Sequence, residues 1–306
     1  MNEPTMPVLT IHHKTEYRYA QPVGFGEHRI MLRPRDSHDL RMLSGRLEIT
    51  PEPASLRWIH DVFGNSVAIA TFGTCARKLT FVSTATVEHL PSDAFALTPR
   101  DQAYLYPFLY DGEELPDLQE FIRPQYGDPD GALSAWARAF LASEGRTPTF
   151  QILSDMTHGI RAQCTYRKRH EHGTQHPLDT LQTRSGTCRD FALLMIEALR
   201  RLGIAARFVS GYIFIHGRRD QGYVGGGSTH AWVQVYLPSA GWIEFDPTNG
   251  IIGSRDLIRV AVARDPQQAV PLHGTYLGLA DAFLGMDVAI NVVSAGEDAP
   301  ALPAGA

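Results

Sequence analysis

The sequence predicts an α+β protein: an antiparallel β-sandwich over residues 1–95, then a second domain over residues 96–294 in which a buried helix packs on an antiparallel sheet. Three observations predict this fold. Short runs of alternating polar and apolar residues, typical of antiparallel sheets, fill the first third of the chain. A strongly apolar helical segment covers residues 187–203, and two alternating segments over residues 229–247 indicate a hairpin. At about 150 residues per domain, the 306 residues fit two domains.

The N-terminal region contains several short candidate strands with β-branched and aromatic residues. Turn residues such as Pro51 and Gly64 separate these strands. The candidate strands cover residues 8–19, 46–50, 56–60, 66–70 and 78–82. No group of chemically reactive side chains is concentrated there, so we expect the functional residues to lie further along the chain.

The second domain begins with a segment that is rich in Pro, Asp and Tyr, and we interpret residues 96–130 as a connecting arm. Helical periodicity follows over residues 131–144 and 148–162. Residues 295–306 are small and polar with two prolines, which predicts a flexible tail.

The composition argues against several functional classes. Hydrophobic residues make up 43% and charged residues 20% of the chain, as in globular proteins. The net charge is −5 and no basic run stands out, so we expect neither a nucleic-acid partner nor a membrane partner. The first residues lack the basic and apolar segments of a signal peptide, and three cysteines are too few for a disulfide framework. We therefore expect a cytoplasmic protein.

The apolar segment around Cys188 has the features of one complete helix. Ser185 or Thr187 is suited to cap its N-terminus, and Gly203 is suited to end it in the left-handed conformation. Cys188 then lies in the first turn, where unpaired N–H groups and the helix dipole favour an anion. Cysteines in such positions have lowered pKa values and react as thiolates, and Gly186 permits close approach of a substrate. The alternative is a cysteine that only packs in the core.

The hairpin supplies an imidazole and a carboxylate. His230 and Asp246 are separated by an even number of residues, so both side chains point to the same face. A three- or five-residue loop centred on Pro238 would place the two directly opposite each other, with Cβ atoms roughly 5 Å apart. His230 would then accept the proton of Cys188 while Asp246 orients the ring. The glycine run 225–227 predicts a mobile flap beside this site.

Several segments together resemble the transglutaminase-like superfamily of papain-fold cysteine enzymes, in particular its bacterial members with a β-rich N-terminal region. The resemblance implies a papain/transglutaminase-like core with Cys188 as nucleophile, His230 as base and Asp246 as orienting acid. It also makes Gln182, Tyr166 and Trp242 candidates for binding the oxyanion or the substrate. The segments that carry the resemblance are residues 58–65, 184–192, 202–212, 228–232 and 241–248.

By this resemblance we expect hydrolysis of an amide or peptide bond through an acyl-thioester, without a cofactor. The substrate would be a protein, a peptide or a small amide. Protein-glutamine transamidation is the alternative, but no acidic calcium-binding loop like that of the animal cross-linking enzymes is apparent.

Two readings from other classes remain. His170, His172 and His176, with Cys164 upstream, could hold zinc, although the chain lacks a Cys-x-x-Cys pair and a His-Glu-x-x-His helix. The chain could also be a binding or scaffolding protein that keeps an enzyme fold without its activity.

Overall fold

The computed structural model describes residues 7–90, 103–169, 173–214 and 227–294. It confirms the predicted α+β class, with an antiparallel β-rich N-terminal region followed by a helix-on-sheet core. Within these ranges no helix is long and apolar enough to cross a bilayer.

All five strands predicted in the N-terminal region are present, and most extend beyond the predicted residues. They are β1 (Val8–Ile30), β2 (Leu40–Thr50), β3 (Ser55–His60), β4 (Ser66–Thr71) and β5 (Ala76–His89). The order in the sheet is β2-β5-β1-β4-β3. The pairing of β1 with β5 is interrupted between Arg18 and Val23; the first half of β1 follows β5 and the second half pairs with β4. The two halves enclose a common apolar core that includes Phe25 and Phe81.

The second region has five helices within the described part of the chain. They are α1 (Leu115–Ile122), α2 (Ala132–Arg138), α3 (Thr149–Gln163), α4 (Pro177–Thr183) and α5 (Cys188–Arg201). The predicted connecting arm thus contains α1, and α2 is shorter than the predicted helix 131–144. The predicted tail 295–306 lies outside the described residues.

Strands of the second region form one five-stranded antiparallel sheet and two short pairs. The short pairs join β6 (Leu105–Tyr106) to β7 (Thr147–Pro148) and β8 (Thr165–Tyr166) to β9 (Ser185–Gly186). The main sheet has the order β13-β12-β11-β10-β14. Its strands are β10 (Ala206–Ile213), β11 (His230–Leu237), β12 (Gly241–Asp246), β13 (Ile251–Ile252) and β14 (Leu257–Ala263).

Helix α5 packs against β11 and β10 and is buried at all but two of its fourteen residues. Thr187 is its N-cap residue, and Gly203 has a φ of 74° just beyond its C-terminus, as the sequence predicts. An apolar helix of this kind is stable only when it is covered, because exposing its surface to water costs about 25 cal/mol per Å². The sheet supplies the cover on one side.

The last two strands, β15 (Leu272–Leu277) and β16 (Phe283–Ser294), return to the N-terminal sheet and pair with β1. The sequence-based division assigned them to the second domain, 96–294. Strand pairing joins residues that are far apart in the chain, so the position of a strand along the sequence does not reveal its partner.

The N-terminal region packs on the main sheet through a buried polar network. Arg259 of β14 donates to Asp39 at 2.6 Å and also to Glu244 of β12, and Glu244 accepts a 2.8 Å hydrogen bond from Gln234. Burial by itself lowers the pKa of Arg259, but the charges of Glu244 and Asp39 outweigh this effect and raise it. The guanidinium therefore remains charged and bonds the N-terminal region to the main sheet.

We predict that Asp39→Ala destabilises the protein by about 3 kcal/mol, because it leaves the buried Arg259 with one carboxylate fewer. The matched control is Arg41→Ala on β2, an exposed side chain 3.7 Å from Glu88, which should change the free energy of unfolding by less than about 0.5 kcal/mol. Urea denaturation followed by circular dichroism measures both. Equal losses in the two variants would contradict a special role for the buried network.

Candidate active site

The start of α5 is built around the buried carboxylate of Asp190. This carboxylate accepts hydrogen bonds from the backbone N–H of Thr187 at 2.7 Å and from its hydroxyl at 2.9 Å. Arg169 donates to both carboxylate oxygens, at 2.9 and 3.1 Å. A Cβ on Gly186 would lie 2.8 Å from the Asp190 Cβ, so only glycine fits there. These contacts fix the first turn, in which Cys188 is the first residue.

His230 and Asp246 form a direct hydrogen bond of 2.8 Å between Nε2 and Oδ2, and both side chains are fully buried. The hairpin register differs from the prediction. The turn has three residues but is centred on Ser239 rather than Pro238. Continuing this register places Asp246 opposite Trp232, so His230 and Asp246 are diagonal neighbours and not a directly opposed pair. The even spacing still puts both on one face, and the long imidazole spans the diagonal.

Asp246 is held by the turn that follows it. Its Oδ1 accepts from the backbone N–H of Thr248 at 2.9 Å, and its Oδ2 accepts from the Asn249 side chain at 2.8 Å. The Asn249 amide also lies 3.3 Å from His230 Nε2. Sequence reasoning missed Asn249. Its position in the turn three residues after Asp246 was an available signal, since Asx residues often bond locally in turns.

The other nitrogen of the His230 ring, Nδ1, is buried and has no hydrogen-bond partner among the described residues. The charge of Cys188 acts on this imidazole. Since Asp246 occupies Nε2, Nδ1 is the ring nitrogen that remains to exchange a proton with the thiol. Burial lowers the pKa of His230, but Asp246 and then Cys188 outweigh burial and raise this pKa to about 10.

The indole of Trp232 stacks on the His230 ring, with centroids 6.0 Å apart and an interplanar angle of 28°. A Cβ on Gly211 would lie 2.7 Å from the Trp232 ring, so glycine on the neighbouring strand β10 makes room for the indole. The ring of His230 is therefore fixed by packing as well as by hydrogen bonds.

Cys188 and His230 open into the same cleft, which has a volume of about 170 Å³. Arg189 also faces it, but its guanidinium donates to the carbonyls of Pro266 and Ala269 and lies 4.7 Å from the Phe208 ring centre. The lining residues of the cleft are Arg169, Gly173, Thr187, Cys188, Arg189, Thr229 and His230. A thiol, an imidazole and an open cleft thus occur together.

Comparison with known proteins identifies the family of the chain. Residues 9–88 match the model of the bacterial transglutaminase-like N-terminal region, and residues 135–247 match that of the transglutaminase-like superfamily. The chain belongs to the transglutaminase-like superfamily. An uncharacterised Mycobacterium tuberculosis protein is 30% identical over 293 residues, covering 92% of this chain and 91% of its own length.

One solved structure and one further sequence are also similar to this chain. The crystal structure of a candidate cysteine protease from Cytophaga hutchinsonii has a TM-score of 0.69 at 22% identity, over 96% of this chain and 93% of that one, and therefore shares the fold. A protein-glutamine gamma-glutamyltransferase of Pseudomonas aeruginosa is 39% identical over 75 residues, covering 24% of this chain and 11% of its own length.

The three other predicted site residues differ in their position relative to the cleft of Cys188. Tyr166 of β8 pairs with Gly186 and lies near the thiol: burial and then the charges of Cys188 and Asp190 raise its pKa to about 12. Gln182 is exposed on α4 and does not line the cleft. Trp242 is at the other end of β12, where it stacks with Arg207 at 3.9 Å. Trp242 precedes Asp246 by four positions, which corresponds to roughly 13 Å of strand.

The proposed zinc ligands are not brought together among the residues that the structure describes. His176 caps α4 by accepting from the backbone N–H of Leu178 at 3.3 Å. Burial raises the pKa of Cys164. His170 and His172 lie outside the described residues, as do the first two glycines of the predicted flap at 225–227. No group of three or more possible metal ligands occurs in the described ranges.

We predict that the charged His230 ring makes stability depend on pH. Its folded pKa of about 10 lies above the ordinary 6.5, so its contribution is complete below about pH 6.5 and is lost as the pH rises towards 10. The Tm difference between wild type and His230→Gln should therefore shrink from pH 6.5 to 10. The control is His158→Gln, which replaces an exposed histidine on α3 and should change the Tm little. A pH-independent difference for His230→Gln would contradict the charged state.

Proposed function

We propose that this chain is a cysteine-nucleophile acyl-transfer enzyme that hydrolyses an amide or peptide bond. The observation that carries the proposal is the position of His230, which bonds Asp246 through Nε2, keeps Nδ1 without a partner among the described residues, and lines the same cleft as Cys188. An imidazole held between a thiol and a buried carboxylate in a cleft is the arrangement that nucleophilic catalysis by cysteine requires.

The reaction follows from the positions of these groups. The Cys188 thiol gives its proton to His230 Nδ1, and the sulfur attacks the carbonyl carbon of the substrate to form a tetrahedral intermediate. His230 then protonates the leaving amine, the carbon–nitrogen bond breaks, and an acyl-thioester remains. In the second half His230 removes a proton from water, the hydroxide attacks the thioester, and the acid leaves as the thiol is restored.

The oxyanion of each intermediate needs hydrogen-bond donors. The first N–H groups of α5 have no carbonyl partners within the helix, because they belong to its first turn. This N-terminus lies at the cleft and carries the positive end of the helix dipole. Tyr166 is a further donor: with a pKa raised to about 12 its O–H stays protonated at neutral pH. The position of Gln182 does not support the same role, because that side chain is exposed on α4.

Transamidation is the second candidate, and one observation favours it. A segment of 75 residues matches a relative from Pseudomonas aeruginosa whose name is protein-glutamine gamma-glutamyltransferase. An amine that enters the cleft in place of water would attack the same acyl-thioester. A binding or scaffolding protein is the remaining alternative, and it requires no reactivity at Cys188.

We predict that iodoacetamide at pH 6 modifies Cys188 at least about tenfold faster than Cys75 or Cys164, because a thiol paired with an imidazolium reacts as a thiolate. Cys75 is exposed and Cys164 is half-buried, so access alone would favour Cys75. Mass spectrometry of peptides after timed labelling measures all three rates in one sample. His230→Gln should remove the advantage of Cys188, and a rate at Cys188 no faster than at Cys75 in wild type would refute the enzyme proposal.

We predict that the wild type releases amine from peptide amides and that Cys188→Ala lowers this rate by at least about 10³-fold, since it removes the nucleophile. The Cys75→Ala variant is the control and should keep full activity. Assays with and without an added primary amine, read by mass spectrometry of the products, separate the two candidates. Free acid in both assays supports hydrolysis, whereas incorporation of the amine supports transamidation. An activity that Cys188→Ala retains would be incompatible with either.

A further inference from the structure

A second cavity, of about 520 Å³, lies between the N-terminal sheet and the turn Pro266–Ala269, and the acyl-transfer chemistry does not use it. Its size falls in the range of small-molecule sites, which are roughly 300–1,000 Å³. Apolar side chains line one part of it, among them Met31, Ile59 and Phe63, and polar side chains line another.

Arg29 is the principal cation of this cavity. It forms no hydrogen bond or ion pair with any of the residues that the structure describes, although it is half-buried. His273 is its cross-strand partner in β15, and His60 at the end of β3 also lines the cavity. Directly opposed side chains on paired strands have Cβ atoms about 5 Å apart, so Arg29 and His273 present their donors together.

Asp61 is the one carboxylate among the lining residues, and local hydrogen bonds occupy it. It accepts from the backbone N–H groups of Phe63 and Asn65, both at 2.9 Å, and from the Asn65 side chain at 2.8 Å. Asp61 therefore closes the turn between β3 and β4 and forms no ion pair with Arg29.

The rim of the cavity carries an apolar side chain in an unusual position. Val62 is 90% exposed, at the tip of the same turn. A ligand with an apolar body would cover Val62 and contact Ile59 and Phe63, while an anionic group at one end would meet Arg29.

We propose that this cavity is a binding site for an organic anion, in which a carboxylate or phosphate on an apolar body is bound by the Arg29 guanidinium. Guanidinium binds both groups through paired N–H donors, so the two share one recognition chemistry. The site is separate from the cleft of Cys188, and its occupation does not depend on whether Cys188 is catalytic.

The test uses 2-naphthoate, 2-naphthyl phosphate and the neutral 2-naphthamide as probes, with the full chain and isothermal titration calorimetry. We expect saturable binding of one or both anions and at least about tenfold weaker binding of the amide, because the charge-assisted hydrogen bonds are lost. Whichever anion binds more tightly identifies the preferred group. Equal affinity for anions and amide, or no saturable binding of either anion, would overturn the proposal.

Variants locate the site. Arg29→Gln should weaken anion binding at least about tenfold, whereas Arg77→Gln, which removes an exposed charge on β5, should leave it unchanged. Val62→Asp adds a repelling charge at a position exposed enough to leave the fold intact, and it should weaken anion binding as well. Shifts of the ring C–H signals of His60 and His273 in proton NMR should accompany binding. Anion binding that survives both Arg29→Gln and Val62→Asp would place it elsewhere and refute the proposal.

Discussion

The hydrogen bond between His230 and Asp246 is the interaction on which the rest of the site depends. A carboxylate that loses all contact with water is very unfavourable unless charges and donors compensate it. Asp246 has such compensation from the imidazole, from Asn249 and from the backbone of Thr248, and these contacts lower its pKa against the opposing effect of burial. Because Asp246 occupies Nε2, the ring can present only Nδ1 to Cys188. One buried contact thus fixes the orientation of the His230 ring.

This buried polar pair requires a frame that keeps water out, and the whole chain supplies it. Helix α5 covers one face of the main sheet, and the N-terminal region contributes to the cover of the other. Phe63 packs near Trp232, the residue that stacks on His230, and the side chain of Asn65 bonds both backbone groups of Val262. The N-terminal region therefore contributes to the packing around the main sheet, and strands β15 and β16 at the end of the described chain also pair with its strand β1.

Much of this could be predicted from the sequence because the signals are local. The α5 helix has its cap, its apolar faces and its final glycine within one short segment, and the face shared by His230 and Asp246 follows from even spacing alone. The centre of the hairpin turn and the distance of Trp242 from the site could not be predicted, because they depend on geometry that is not local. The turn is centred on Ser239, whose φ of 66° is left-handed. Serine is not a residue that predicts this conformation, so the sequence offers no sign of it. Trp242 shares a face with Asp246 but lies at the far end of the strand, and periodicity carries no information about that distance.

The hydrogen-bond partners of the arginine side chains differ between the cleft of Cys188 and the second cavity. Arg200 and Arg259 are buried and each is bound by carboxylates or carbonyls, as is Arg189 beside the cleft. In these cases the guanidinium joins elements of the fold, so its donors are used within the chain. Arg29 lies in a cavity of ligand size without such a partner among the described residues. The donors of Arg29 therefore join no described elements of the fold, and a bound anion would provide a partner for them.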